Sequence, residues 1–141
     1  MNTGKNINIV EIFALAVQNH KKDNLKKAQE LYNKVLKIAP NHMDAHNNLG
    51  VLFQKLGEYQ KAQSCFEKAI EIDPNFANAH NNLGVTFKEL KKYENAKECF
   101  VKAIVINPNY IDAHNNLGII FQELEEYQKA IECFEKVIKI N

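Results

Sequence analysis

A 34-residue step runs through the chain and restricts what it can fold into. His46-Asn47-Asn48-Leu49-Gly50 returns as His80-Asn81-Asn82-Leu83-Gly84, and again as His114-Asn115-Asn116-Leu117-Gly118. Pro40, Pro74 and Pro108 keep the same step, as do Phe66, Phe100 and Phe134. Residues 43–73 and 111–141 share 21 identities in 31 positions, far beyond chance. A period of this length means stacked supersecondary units, each too small to bury its apolar surface alone.

Inside a unit the apolar spacing is helical. Ala45, Leu49, Leu52, Phe53 and Leu56 recur at steps of three and four, so they form one stripe on a first helix. Gly57-Glu58 allows a turn, as do Lys91-Lys92 and Glu125-Glu126 in the later copies. A second stripe follows through Tyr59, Ala62, Phe66, Ala69 and Ile70, where the small Ala62 permits a close helix approach. Pro74 then ends the pair, because it lacks an amide proton and biases Asp73 away from helical geometry. A fainter copy places Ile12, Leu15, Ala16, Leu25, Ala28, Tyr32, Val35 and Pro40 at matching positions, without the asparagine pair. The expectation is one array over residues 1–141, with units at 9–42, 43–76, 77–110 and 111–141.

The pattern of Leu49, Gly50, Phe53, Tyr59, Ala62, Phe66, Ala69 and Pro74 resembles the tetratricopeptide repeat family, with His46, His80 and His114 where the family often has Trp. That resemblance implies an all-α fold: a right-handed α-solenoid of four helix-turn-helix units, eight helices, with no capping helix after the last. It also implies a protein-interaction scaffold rather than an enzyme.

Composition agrees with that class. The chain has 18 Lys, no Arg and 17 acidic residues, a net charge of +1, which argues against a nucleic-acid or anionic-membrane binder. No run is long enough to span a membrane. The apolar run from Ile7 to Val17 after Lys5 has a signal-peptide outline. Glu11 interrupts it, and the same residues fit the first helix. Cys65, Cys99 and Cys133 are odd in number and 34 residues apart, neither a disulfide framework nor a CxxC metal site. They read as reduced thiols filling half-buried space in a cytoplasmic protein. His42 and His46 are four apart, but His42 falls in the loop after Pro40. His46, His80 and His114 read as packing residues, so no metal or cofactor is expected. Ser64, the only serine, has no neighbouring His, and no catalytic residue is assigned.

The asparagines are harder to explain by folding. Asn is a mediocre helix former, yet two sit in mid-helix in three successive units. The family resemblance places Asp44, Asn47, Asn48, Val51 and Gln54 toward a concave groove. The equivalents are Asn78, Asn81, Asn82, Val85 and Lys88, then Asp112, Asn115, Asn116, Ile119 and Gln122. An Asn amide offers donors and an acceptor, matching a peptide unit. The column Asn48, Asn82, Asn116 resembles the asparagine ladder in the repeat region of O-linked N-acetylglucosamine transferases, which would grip an extended backbone. The other reading is that Asn cross-links neighbouring helices, or reflects duplication of one unit. A carboxylate clamp for chaperone C-termini is excluded: its places hold Asn78, Asn82, Phe13 and Val17, and only Asn48 matches. Three net hydrogen bonds of about 0.5–1.5 kcal/mol each give only about millimolar affinity. An apolar anchor is therefore expected, and Val10, Phe13, Ala14 and Val17 would supply it at the N-terminal end unless residues 1–8 cover them.

These features predict a scaffold for an extended peptide or flexible protein segment. The alternatives are the targeting arm of a larger enzyme such as a glycosyltransferase, or a self-assembling repeat. Stopping at Asn141 without a cap, the chain is expected to be a fragment, or to self-associate through Ile131, Val137, Ile138 and Ile140. Residues 1–42 carry +4 and residues 111–141 carry −3, which would favour a head-to-tail homo-oligomer. Changing Asn48, Asn82 and Asn116 together to Ala is expected to weaken binding and leave melting largely intact.

Overall fold

The computed structural model describes residues 8–141. Among these there is no strand, and eight helices follow in order. They are α1 (Ile9–Lys21), α2 (Leu25–Ile38), α3 (Met43–Lys55), α4 (Tyr59–Ile72), α5 (Ala77–Glu89), α6 (Tyr93–Ile106), α7 (Ile111–Glu123) and α8 (Tyr127–Ile140). Each odd helix packs on the even helix that follows it, and each even helix packs on the next odd one. Four hairpins are thus stacked in a line.

The hairpin turns share one backbone device. Asp23, Gly57, Lys91 and Glu125 all take positive φ, at 63°, 73°, 59° and 60°. This left-handed residue lets the next amide fold back onto the helix just ended, as in a Schellman-type stop. Glu58 N–H donates to Phe53 O at 2.9 Å, and Asn24, Lys92 and Glu126 donate to Asn19, Phe87 and Phe121 at 2.8 Å each. Only one copy uses Gly here. The closing bond, present in all four, imposes the geometry on the other three residues.

Within each hairpin the two helices meet ring against backbone. A Cβ at Gly50, Gly84 or Gly118 would come within 2.6 Å of the ring of Phe66, Phe100 or Phe134. In these three units the phenylalanine ring occupies the space a side chain at the glycine would need. In the first hairpin Ala16 stands at the glycine position and Tyr32 at the ring position, both fully buried. Ala45, Leu52, Ala62 and Ala69 are fully buried as well. Leu56 departs from the expected stripe. It is the C-cap of α3, where the helix stops and the chain turns, and it is 44% exposed.

The repeated histidines hold helices to the loops before them. The Nε2 atoms of His46, His80 and His114 lie 2.7, 2.8 and 2.8 Å from the carbonyl oxygens of Pro40, Pro74 and Pro108. A ring N–H donating to that carbonyl ties each odd helix to the proline turn. His42 is the N-cap of α3, its Nδ1 accepting from Ala45 N–H at 3.1 Å.

Candidate functional site

Stacking brings α1, α3, α5 and α7 side by side, with contacts between each adjacent pair. The expected groove residues lie on these helices, but their side chains divide into two groups. Asn47 and Asn81 are buried, at 7% and 6% exposure. Asn82 Nδ2 donates to Asn47 Oδ1 at 3.1 Å, and Asn116 Nδ2 donates to Asn81 Oδ1 at 3.2 Å. The first asparagine of one unit thus accepts from the second asparagine of the next. Each bond crosses between units, linking α3 to α5 and α5 to α7.

Gln54 adds a second crossing. Its Nε2 donates to Asn82 O and to Thr86 Oγ1, both at 2.9 Å, and Thr86 Oγ1 donates to Asn82 O at 3.0 Å. Thr86 is fully buried, so the amide of Gln54 satisfies a polar group that the α3–α5 junction encloses. Asn78 and Asn115 are exposed, and Asn48 is half-buried. Burial pushes the Tyr32 phenol up to about 12, opposed by a hydrogen bond with Asn48. Asn82 and Asn116 therefore hold helices together. The expectation that replacing Asn48, Asn82 and Asn116 would leave melting intact is corrected on that ground.

Between the second and third units the face opens into a pocket of about 330 Å³, lined by Val51, Gln54, Lys55, Tyr59, Val85 and Glu89. Val51 and Val85 were legible as groove positions. Lys55 and Glu89 were not among the expected groove positions. Each follows its valine by four residues, on the same helical face, and that step would have found them. Ile119, the third member of the valine series, is partly buried on α7. A second pocket of about 370 Å³ is lined by His114, Phe121, Lys129, Glu132, Cys133 and Lys136, none of them an expected site residue.

The apolar N-terminal end is more closed than its sequence implies. Val10 is 73% exposed. Phe13, however, is partly buried, its ring 4.7 Å from that of His42 and 6.1 Å from that of Tyr32. Val17 packs against the core. Two of the four expected anchor residues, Phe13 and Val17, are thus already in contact with their own chain, while Ala14 is exposed. Whether the first residues cover this end falls on residues 1–7, outside those described.

The same corner carries a titratable contact. His20 Nδ1 lies 3.1 Å from the Tyr32 hydroxyl. Burial holds the His20 pKa below its ordinary 6.5, helped by Lys55 and opposed by Asp23. The unfolded chain then binds more protons than the folded one just below pH 6.5, so stability falls as pH drops from 6.5 through the folded pKa. Denaturant melts between pH 7.5 and 5 should show this loss, and His20→Gln should shrink it. An unchanged pH profile in that variant would remove His20 as its source.

The thiols have little nucleophilic character. Burial pushes Cys65 up to about 11, and burial with the nearby Glu98 and Glu67 pushes Cys99 to about 12. Cys133 is raised too, by burial and then by Glu132. Among the described residues no group of three His, Cys, Asp or Glu is placed to hold a metal ion, and no helix is long and apolar enough to cross a membrane.

Four stacked hairpins with a pocketed, polar face on their odd helices define a helical-repeat scaffold. The chain belongs to the tetratricopeptide repeat family: that family's profile matches residues 44–76, 77–110 and 111–141, and a second tetratricopeptide profile matches 19–57. No curated protein matches the chain. A crystal structure of MamA is similar at 29% identity and a TM-score of 0.83, over 89% of this chain and 74% of that one. PilF of Pseudomonas aeruginosa is 29% identical with a TM-score of 0.87, over 94% of this chain and 61% of PilF. MamA of Desulfovibrio magneticus RS-1 has a TM-score of 0.87 at 24% identity, over 96% of this chain and 77% of that one, a likeness of fold.

Proposed function

We propose that this protein-interaction scaffold holds an extended peptide or flexible protein segment along α1, α3, α5 and α7, anchored by an apolar side chain in the pocket between the second and third units. The observation that carries the reading is the make-up of that pocket. Val51 and Val85 line it with apolar surface, and Glu89 and Lys55 stand beside them, the Lys55 ammonium 2.6 Å from the Asp23 carboxylate. An apolar side chain entering there would bury surface worth about 25 cal/mol per Å², the contribution that hydrogen bonds alone do not reach. The exposed amides of Asn78 and Asn115, with Asn48, Asn82 and Asn116 beside them, are left to meet the ligand backbone in the manner of an asparagine ladder. Asn47 and Asn81 contribute indirectly, by fixing the spacing between units. The three free cysteines suit a reducing compartment such as the cytoplasm.

A displayed library of short unstructured peptides, selected on the intact chain, tests this. Selected clones should carry an apolar residue and should lose binding to a Val85→Lys variant by about tenfold or more, equivalent to about 1.4 kcal/mol. Clones that bind wild type and Val85→Lys equally would overturn the reading.

A further inference from the structure

The last residues of α1, α3, α5 and α7 occupy one place in four copies, and their charge changes sign halfway along the stack: Lys21, Lys55, Glu89 and Glu123. A helix C-terminus carries partial negative charge and favours a cation. The first two units follow that preference and the last two oppose it, so folding alone does not account for the carboxylates.

Two residues beyond this place stand the left-handed turn residues Asp23, Gly57, Lys91 and Glu125. Lys55 reaches back to the turn of the preceding unit, its ammonium 2.6 Å from the Asp23 carboxylate. The same step along the sequence matches Glu123 with Lys91, of opposite sign, but matches Glu89 with Gly57, which has no side chain. A Cβ at Gly57 would meet nothing within 4 Å. The neighbours of that glycine on either side, Lys55 and Tyr59, line the pocket between the second and third units together with Val51, Val85 and Glu89. Glu89 is exposed and, among the described residues, stands in no ion pair. The pocket therefore opens where the preceding junction closes with a charge pair, and it keeps one acid without a counter-charge.

That combination selects the sign of a ligand. Val85 and Glu89 are four residues apart on α5, about 6 Å along its axis, a span that a Lys or Arg side chain covers. The apolar stem of such a side chain packs on valine while its charged head stays at the rim, and the Tyr59 ring offers the cation an aromatic face. An acidic side chain would meet Glu89 instead and find Lys55 already held by Asp23.

We propose that the segment held in this groove carries a Lys or Arg within two positions of its apolar anchor, and that Glu89 selects it. The basic residue supplies the counter-charge that Gly57 lacks. This specificity rests on the peptide-groove reading given above and adds the chemistry of the partner to it.

The same displayed library tests it, read out on the intact chain and on three variants. Val85→Lys probes the anchor and Glu89→Lys the charge. Gly57→Lys supplies an internal cation at a turn position where Lys91 already takes a φ of 59°. Circular dichroism should show all three as helical as wild type. Selected clones should be enriched in Lys or Arg within two positions of the apolar residue. A synthetic peptide from such a clone should weaken about fivefold on Glu89→Lys, the scale of one exposed ion pair turned into a repulsion, and should weaken on Gly57→Lys as well. The same peptide with its basic residue changed to Glu should bind Glu89→Lys better than wild type. Clones that lose Val85→Lys but show no basic enrichment, and bind Glu89→Lys as well as wild type, would overturn the charge specificity and leave the pocket reading standing. Enrichment in Asp or Glu would overturn it too, by giving the role to Lys55. Clones indifferent to Val85→Lys would overturn both.

Discussion

Phe100→Ala should cost about 3–5 kcal/mol of folding stability, the range for removing a buried aromatic ring, and should do so without altering the exposed surface. Phe100 is fully buried, and its ring fills the space directly over Gly84. The stacked backbone around it leaves little room for collapse, so truncation creates a cavity as well as losing apolar contact. Phe134→Ala, the same change in a unit with no neighbour on one side, should cost clearly less because that ring is only partly buried. The ordering Phe100 above Phe134 is the sharper test, since it follows from position in the stack and not from residue type. Gly84→Ala supplies the reverse experiment. Helix propensity alone favours Ala over Gly by about 1 kcal/mol, yet the new Cβ would press on the Phe100 ring, and overpacking costs about 1–3 kcal/mol. A net loss is expected, and urea melts of the three variants would measure it. Equal losses for Phe100→Ala and Phe134→Ala would mean that unit stacking adds little to the burial of the ring.

Much of this arrangement was legible because repetition turns weak local signals into strong ones. A single Leu-Gly or Ala-x-x-x-Phe says little. Three copies at one step require a stacked hairpin, and the fold follows. Leu56 was misread because periodicity continues a stripe past the point where a helix stops, and the left-handed turn at Gly57 decides that ending. The groove was legible as a set of positions but not as a set of free side chains. Sequence spacing places Asn47 and Asn48 on one helix without saying that one amide turns inward to meet the next unit. That choice depends on the distance between α3 and α5, which only the stacked structure fixes. The bond between His80 and the Pro74 carbonyl was hidden for the same kind of reason. Its acceptor is a backbone atom, which carries no residue signature.

The asparagine pair carries the second large effect, and a double-mutant cycle separates its structural role from a ligand role. Asn82→Ala removes the donor to Asn47 Oδ1, a bond worth about 0.5–1.5 kcal/mol net, and leaves a buried acceptor without that partner at about 1–3 kcal/mol. Better helix propensity returns up to about 0.7 kcal/mol. A net loss of about 1–3 kcal/mol is expected. Gln54 bonds the backbone carbonyl of residue 82 and Thr86, so its contribution survives the substitution and does not enter the cycle. Asn47→Ala removes the acceptor from the other side. If the pair is joined in solution, the double variant should be more stable than the sum of the single losses predicts, by about 1 kcal/mol, because neither amide is then stranded. Asn78→Ala serves as the control: Asn78 is exposed, and its replacement should move the melt by no more than about 0.5 kcal/mol. Peptides selected on the groove should weaken with Asn78→Ala at unchanged stability, whereas Asn82→Ala should alter both. Additive losses across Asn47 and Asn82 would instead mean that the two amides stand apart in solution and face the ligand independently.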